Sequence, residues 1–289
     1  MTQLYQIDSQ THPGRISLNI NNLAEMVEFY QTIIGLSLVR EEDGKAYFNT
    51  GNNSPILLVL NKLDIPSERK ATTGLFHVAY LLPTRKDLGN TLASLIRKEA
   101  PLQGASNHGY SEAIYLADPE GNGIEIYRDR PIYEWDIKED GTIKGITEAM
   151  DADGVLSSRD DSTDKFPKQT TIGHVHLSVA ELNKTQDFYA TILGLTLKDT
   201  YGSQAKFFAA GTYHHHIGTN TWGGVIEPPK DNDLGLNYFT IVVPSTSDIA
   251  ELTNRLETEQ TSFTTDHDGR LIVKDPNGIT LKIETEEQF

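Results

Sequence analysis

The hydrophobic and polar positions of this 289-residue chain form a pattern that occurs twice. From Gly14, "GRISLNINNLAEMVEFYQTIIGLSL" alternates apolar and polar residues, then switches to helical spacing and ends near a glycine. From Gly173, "GHVHLSVAELNKTQDFYATILGLTL" does the same, and 10 of the 25 ungapped positions are identical. Alternation predicts a half-buried strand, spacing near 3.6 an amphipathic helix, and Gly35 and Gly194 its end. A second pair follows. "GLFHVAYLLP" from Gly74 and "GLNYFTIVVP" from Gly235 read as strands, each followed by a helix. They close with "YLADPEGNGIEIY" and "IVKDPNGITLKIE", in which Asp-Pro opens a turn between two strands.

The order is 1-2-1′-2′, four strand–helix–strands units. A unit this small cannot cover its own sheet, so units must pair. The expected class is α+β, with four βαβββ units pairing into two curved-sheet domains. Chain order suggests a first pair over 9–131 and a second over 168–289. Between them, 132–167 is polar, acidic and weakly periodic, and reads as a connector.

Composition narrows the chemistry. The chain has no Cys, which excludes disulfides, thiol nucleophiles and Cys-ligated metal together. Any transition-metal site must then use His and carboxylate, which suits Fe(II), Mn(II) or Zn(II). Lys+Arg number 25 against 41 Asp+Glu, a net charge of −16. Such a chain is repelled by nucleic acid and by anionic membranes. No apolar run approaches the length of a membrane-spanning helix. The first residues lack a basic-then-apolar leader, so a cytoplasmic chain is expected. A homo-oligomer is left open. Of 9 His, three are consecutive: His214, His215 and His216 in "YHHHIG".

The repeated units, "FY…ILGL" after the first strand and "DPEGNGIEIY" closing the second, resemble the vicinal oxygen chelate superfamily of glyoxalases, bleomycin resistance proteins and dioxygenases. The resemblance covers nearly the whole chain. "GLFHVAYLLP", "SEAIYLADPEGNGIEIYRDRP", "TIGHVHLSV" and "YHHHIG" resemble more narrowly the bacterial two-domain extradiol dioxygenases, of the catechol 2,3-dioxygenase type. That resemblance implies an oxidoreductase of aromatic compound catabolism. It would open a catechol-type ring, taking a small aromatic diol and O2 as substrates on a non-haem Fe(II). Relatives on the fold do other things. A metal-dependent glyoxalase-like isomerase, a thiol transferase and a non-catalytic binder of an aromatic ligand are the alternatives.

In this superfamily the metal is held by residues at the first strand of a unit and at the last strand of a unit. The matching slots here are His77 in "GLFHVAY", Glu125 in "GIEIY" and His174 in "GHVHL". Their repeat partners are Tyr238, Lys282 and Arg15, none suited to a cation. One set of two His and one carboxylate therefore survives, spanning units 2 and 3. Such a set leaves metal positions open for substrate and O2. Strand alternation places Glu125 opposite Ile124 and Ile126, and puts His176 on the face of His174. His176 is read as a structural or supporting residue. The resemblance also implies an acid-base His in the triplet, matched to His215, with His214 and His216 as fallbacks. A histidine titrates near neutrality and suits that task. Tyr115, ten residues before Glu125, matches a substrate-contacting Tyr, and His108 lies near a further active-site His. An isomerase would instead want a carboxylate in the slot of the triplet.

The acidity, with no basic stripe, yields a first prediction. A gel-shift titration at micromolar protein should show no salt-sensitive DNA complex.

Overall fold

The computed structural model describes residues 5–224 and 226–289. Four units follow one another. The first is β1 (His12–Ile20), α1 (Leu23–Glu28), β2 (Ser37–Glu42), β3 (Lys45–Asn49) and β4 (Leu58–Lys62). The second is β5 (Gly74–Leu81), α2 (Arg85–Arg97), β6 (Leu102–Asn107), β7 (Ser111–Ala117) and β8 (Gly123–Asp129). A connecting stretch holds β9 (Glu148–Ala149) and α3 (Ala152–Ser157). The third unit is β10 (Thr171–Ser178), α4 (Leu182–Gln186), β11 (Thr196–Tyr201), β12 (Ala205–Ala209) and β13 (Ile217–Asn220). The fourth is β14 (Gly235–Val243), α5 (Thr246–Thr258), β15 (Phe263–Thr265), β16 (Leu271–Lys274) and β17 (Thr280–Thr285). The class is α+β, with duplicated βαβββ units in two curved mixed sheets.

Local sequence explains the element ends. Both α1 and α4 widen into a π-helical turn, Phe29–Ile34 and Asp187–Ile192. Each turn is followed by a glycine at positive φ, Gly35 at 91° and Gly194 at 80°. A residue with a Cβ resists that conformation, so the helix stops there. Thr84 caps α2 through the amide of Asp87, and Ser245 with Asp248 forms a capping box on α5.

The pairing of units differs from the one chain order suggests. One sheet runs β15-β16-β17-β14-β1-β4-β3-β2 and so joins units 4 and 1. The other runs β11-β12-β13-β10-β5-β8-β7-β6-β9 and joins units 3 and 2. The expectation of a first pair over 9–131 and a second over 168–289 is corrected accordingly. The physical reason lies in the edges: β1 lies antiparallel to β14, and β10 lies antiparallel to β5. Consecutive units are tied differently, helix to turn. Tyr30 of unit 1 donates to Asp118 of unit 2 at 3.0 Å, and Tyr189 of unit 3 donates to Asp275 of unit 4 at 3.3 Å. The repeated "FY" and "DP" dipeptides are thus the two halves of one buried contact.

A single buried cluster draws Ile16, Leu18, Val78, Tyr80, Val175, Leu177, Phe239 and Ile241 from both sheets, with Leu88, Leu92 and Leu252 from the helices. Alternation then forces the intervening residues, His77, Ala79, His174 and His176, onto the opposite, concave face. The connecting stretch 132–167 is ordered along this sheet. Its β9 pairs with β6, and α3 lies so close to α2 that a Cβ on Gly89 would fall 2.4 Å from the Val155 carbonyl.

At the outer end of this sheet, Glu112 is buried among three arginines. Arg85 forks onto both carboxylate oxygens at 2.9 Å, Arg128 donates its Nε at 2.8 Å, and Arg130 approaches at 3.4 Å. Burial would raise this carboxyl, but hydrogen bonds from Arg85 and Arg128 hold it below the usual range. Glu112→Gln should therefore cost about 3–5 kcal/mol, because it leaves buried guanidinium charge uncompensated. A depressed carboxyl stabilises the fold above its unfolded value of about 4.3 and loses that contribution as pH falls through the folded value. Urea melts of wild type and variant should therefore converge at acid pH and differ most near neutrality.

Candidate metal centre and active site

The site is built from rows that cross the sheet. In one row His174 on β10 pairs with Ala79 on β5, Ala79 with Glu125 on β8, and Glu125 with Tyr115 on β7. In the next row His176 pairs with His77. Ala79 is the spacer: its single methyl lets the imidazole and carboxylate on either side meet across it. The β10–β5 ladder shifts register between Ile172 and His174, and again between His176 and Leu177. Bulges of this kind re-aim side chains beside functional sites. Gly173 is required beside His174, because a Cβ there would sit 1.8 Å from the Tyr127 hydroxyl.

The result is a convergence of His77, Glu125 and His174. One ligand atom from each lies within 4.8 Å of the others, and all three residues are buried. His174 Nε2 is 3.2 Å from Glu125 Oε2, and His77 Nε2 is 2.9 Å from the same oxygen. Yet His77 Nε2 makes no hydrogen bond: its direction misses the carboxylate. Burial pushes His174 down to about 4, against the pull of Glu125. Burial would raise Glu125, but His174 and His77 hold its carboxyl well below the usual range. A lone-pair imidazole, an ionised carboxylate and an unpartnered buried nitrogen fit a divalent cation. The other acidic-histidine cluster among the described residues, Asp266, His267 and Asp268, lies in an open turn.

A cavity of about 600 Å³ opens over these residues. Tyr115 and His108 form its inner wall. The Ile146 carbonyl accepts a hydrogen bond from His108 Nδ1 at 2.9 Å, so Nε2 of the neutral ring accepts from the Tyr115 hydroxyl at 2.6 Å. Burial and Glu125 push the Tyr115 hydroxyl well above its ordinary value, so it remains a donor. His176 lines the cavity but stands outside the three-atom cluster. Its ring is 4.8 Å from His77 and packs edge-on against Phe76 at 5.2 Å. Phe76 and Trp222, exposed and 5.2 Å apart, frame the mouth with Ile146.

The histidine triplet does not lie in a strand. β13 begins at Ile217, and the three residues sit in the turn leading to it. Each therefore points its own way. His215 enters the cavity, with its ring 4.2 Å from that of His174 and 5.0 Å from Phe207. Burial and His174 push it well below the ordinary histidine value. His214 lies behind it and is fully enclosed. His216 turns away and accepts from the Ala210 amide at 3.2 Å.

The repeat-equivalent place in the other sheet is filled. Lys282 Nζ lies 4.2 Å from the Tyr238 ring, and Arg15 pairs with Glu284, which also holds Arg270. Sequence reading passed over several residues around the site. Asp129 shares the strand face of Glu125 by simple alternation, a signal that could have found it. Ala79 is two residues from His77 on that same face. Ile146, from the connecting stretch, carries no such signal.

Comparison with known proteins fits this geometry. The family model described as Glyoxalase/Bleomycin resistance protein/Dioxygenase superfamily matches residues 12–126 and 171–283. The chain is 39% identical over 256 residues to a catechol-2,3-dioxygenase of Bacillus subtilis (strain 168), covering 87% of this chain and 89% of that one. Its fold is similar to glyoxalase I from Zea mays, with TM-score 0.58, 15% identity, and 95% and 92% of the two chains covered. At that identity the likeness speaks for the fold alone.

Metal analysis after equilibration with Fe(II), Mn(II) or Zn(II) should give about one ion per chain. Glu125→Gln and His77→Ala should each abolish binding. Ala79→Val should weaken it by about tenfold through crowding of the row, an effect of the size expected from groups that orient ligands. Retained binding in Glu125→Gln would place the ion elsewhere.

Proposed function

We propose an extradiol ring-cleaving dioxygenase activity for this chain, which belongs to the Glyoxalase/Bleomycin resistance protein/Dioxygenase superfamily. The substrates are a catechol-type diol and O2, and the metal is Fe(II) held by His77, Glu125 and His174. One observation carries the reading most: the two imidazoles and the carboxylate converge at the base of a cavity whose wall presents His215 and the Tyr115–His108 pair. Similarity over most of the chain to a catechol-2,3-dioxygenase supports it.

Fe(II) bound there supplies Lewis-acid and one-electron chemistry toward a diol and O2. The chain's own groups do the rest. Tyr115 keeps its proton, directed onto His108 Nε2, and presents its hydroxyl oxygen to the substrate as an acceptor. His108, locked by the Ile146 carbonyl, holds the Tyr115 hydroxyl in one direction. His215 takes a proton from the diol and returns it during ring opening. Phe76 and Trp222 shield the cavity mouth from water. A buried imidazole at His215, where an isomerase would want a carboxylate, favours this reading over a glyoxalase-like one. A cation site of this kind has no chemical use in a protein that only sequesters an aromatic ligand.

The experiment is anaerobic reconstitution with Fe(II), followed by a panel of catechols watched for yellow ring-opened product and O2 uptake. His215→Ala should leave metal and catechol binding in place and lower turnover by about 10²–10⁴-fold, the contribution of a positioned acid-base group. Catechols with more acidic hydroxyls should recover part of that loss. If His215→Ala strips the metal, the residue is a ligand and the isomerase reading gains.

A further inference from the structure

We propose that Asp129 and His214 act as positioning residues that fix the tautomer of His215, leaving its Nε2 lone pair toward the cavity. The inference rests on the extradiol reading above, in which His215 first takes a proton. A neutral imidazole has one N–H and one lone pair, and which nitrogen holds which decides what it can do. The hydrogen bonds behind the cavity settle that choice one residue at a time.

His214 Nε2 lies 3.0 Å from Asp129 Oδ1. A carboxylate has no hydrogen to give, so Nε2 of His214 carries the proton. The lone pair of neutral His214 is then on Nδ1. That nitrogen lies 2.8 Å from Nδ1 of His215, a contact that needs one hydrogen between the two. With His214 neutral, it comes from His215. Nδ1 of His215 is therefore the N–H, and Nε2 is left as the lone pair on a ring that lines the cavity. A proton taken from the diol enters at Nε2 and returns from Nε2. His214 and Asp129 hold the ring without carrying that proton.

The supporting groups are themselves held. The His214 ring stacks on Tyr110, at 4.2 Å and 12°, and lies tilted against Tyr213, at 4.1 Å and 33°. Trp135 closes a third side at 5.2 Å. The second oxygen of Asp129 accepts from the Tyr213 hydroxyl at 2.9 Å, and that hydroxyl also meets Tyr127 at 2.8 Å. Neither His214 nor Asp129 lines the cavity, so neither has a direct route to the substrate. Their arrangement has the form of a lock on His215.

Long-range proton–nitrogen NMR on histidine-labelled protein, metal-free or loaded with diamagnetic Zn(II), reads the tautomers directly. Wild type should show His214 protonated at Nε2 and His215 at Nδ1. Asp129→Asn keeps the shape but can present an N–H to His214. Both rings should then switch, with His215 protonated at Nε2. In the Fe(II) enzyme, Asp129→Asn should lower kcat by about 10²-fold or more, with KM for catechol and metal content little changed. Tyr213→Phe, which removes one support of Asp129, should show a smaller kcat loss of the same kind. The wild-type spectrum needs no variant to fold and no turnover to be seen. If its His215 is protonated at Nε2, the proposal is wrong. It is equally wrong if Asp129→Asn turns over normally, or loses metal along with kcat. If the tautomers and their switch appear as stated but no catechol is opened, the lock stands and the extradiol reading falls.

Discussion

Everything at the site depends on the antiparallel pairing of β5 with β10. Among the described residues that ladder is the sole strand pairing between units 2 and 3. It places His77 against His176, and His174 against Ala79, in adjacent rows. The parallel ladder of β5 with β8 then brings Glu125 into the row of His174. A strand slip of one residue would send every one of these side chains into the core and carry Val78 and Val175 into the cavity. The hydrophobic alternation of both strands resists that slip, because it would expose buried valines and bury unpartnered imidazoles. The core and the candidate metal centre are therefore two faces of one constraint.

The duplicated half of the molecule shows what the same constraint does without a ligand set. β14 and β1 pair as β5 and β10 do, and the equivalent positions converge. Here the converging groups are Tyr238, Arg15 and Lys282, and protein charge fills the space. Glu284 takes the two arginines Arg15 and Arg270, and Lys282 rests on the Tyr238 ring. Polar groups turned inward on a curved sheet need partners. In this half the chain supplies them itself. In the other half His77 Nε2 and His176 Nε2 are buried with no hydrogen-bond partner among the described residues, so that half offers a donor set where this one is a closed scaffold.

Much of this was legible in the residues. The repeat gave four units, the class and the alternation, and alternation gave the shared face of Glu125, His174 and His176. The pairing of units was legible only indirectly, through a ligand set that spans units 2 and 3. All four carry the same pattern, so joining 1 with 2 or 1 with 4 buries equivalent surface, and only the strand edges decide. The triplet is a different case. Its position before an apolar segment reads as strand, yet the chain turns there, and the strand rule of two faces fails for His214, His215 and His216. Asp129 was within reach of alternation from Glu125. It drew no attention because a carboxylate at a strand end is most often a solvated one.

The stretch 132–167 shows how a sequence with no core-forming pattern can still belong to a site. It is acidic and buries few apolar side chains, so hydrophobic burial alone would not order it. Ile143, Met150, Val155 and Phe166 anchor it as buried side chains, and hydrogen bonds from its backbone hold the rest. Ile143 donates to Lys198 O at 3.0 Å, Gly145 to Asp199 Oδ2 at 3.1 Å, and Ile146 to His108 O at 3.2 Å. The last of these is reciprocated by the His108 ring on the Ile146 carbonyl. The two backbone–backbone contacts carry no residue-type signature, since any amide or carbonyl would serve. Their consequence is nonetheless chemical. The Ile146 carbonyl decides which nitrogen of His108 faces Tyr115, just as Asp129 decides which nitrogen of His214 faces His215. On opposite walls of one cavity, an acceptor with no hydrogen to give sets the direction of a donor two groups away.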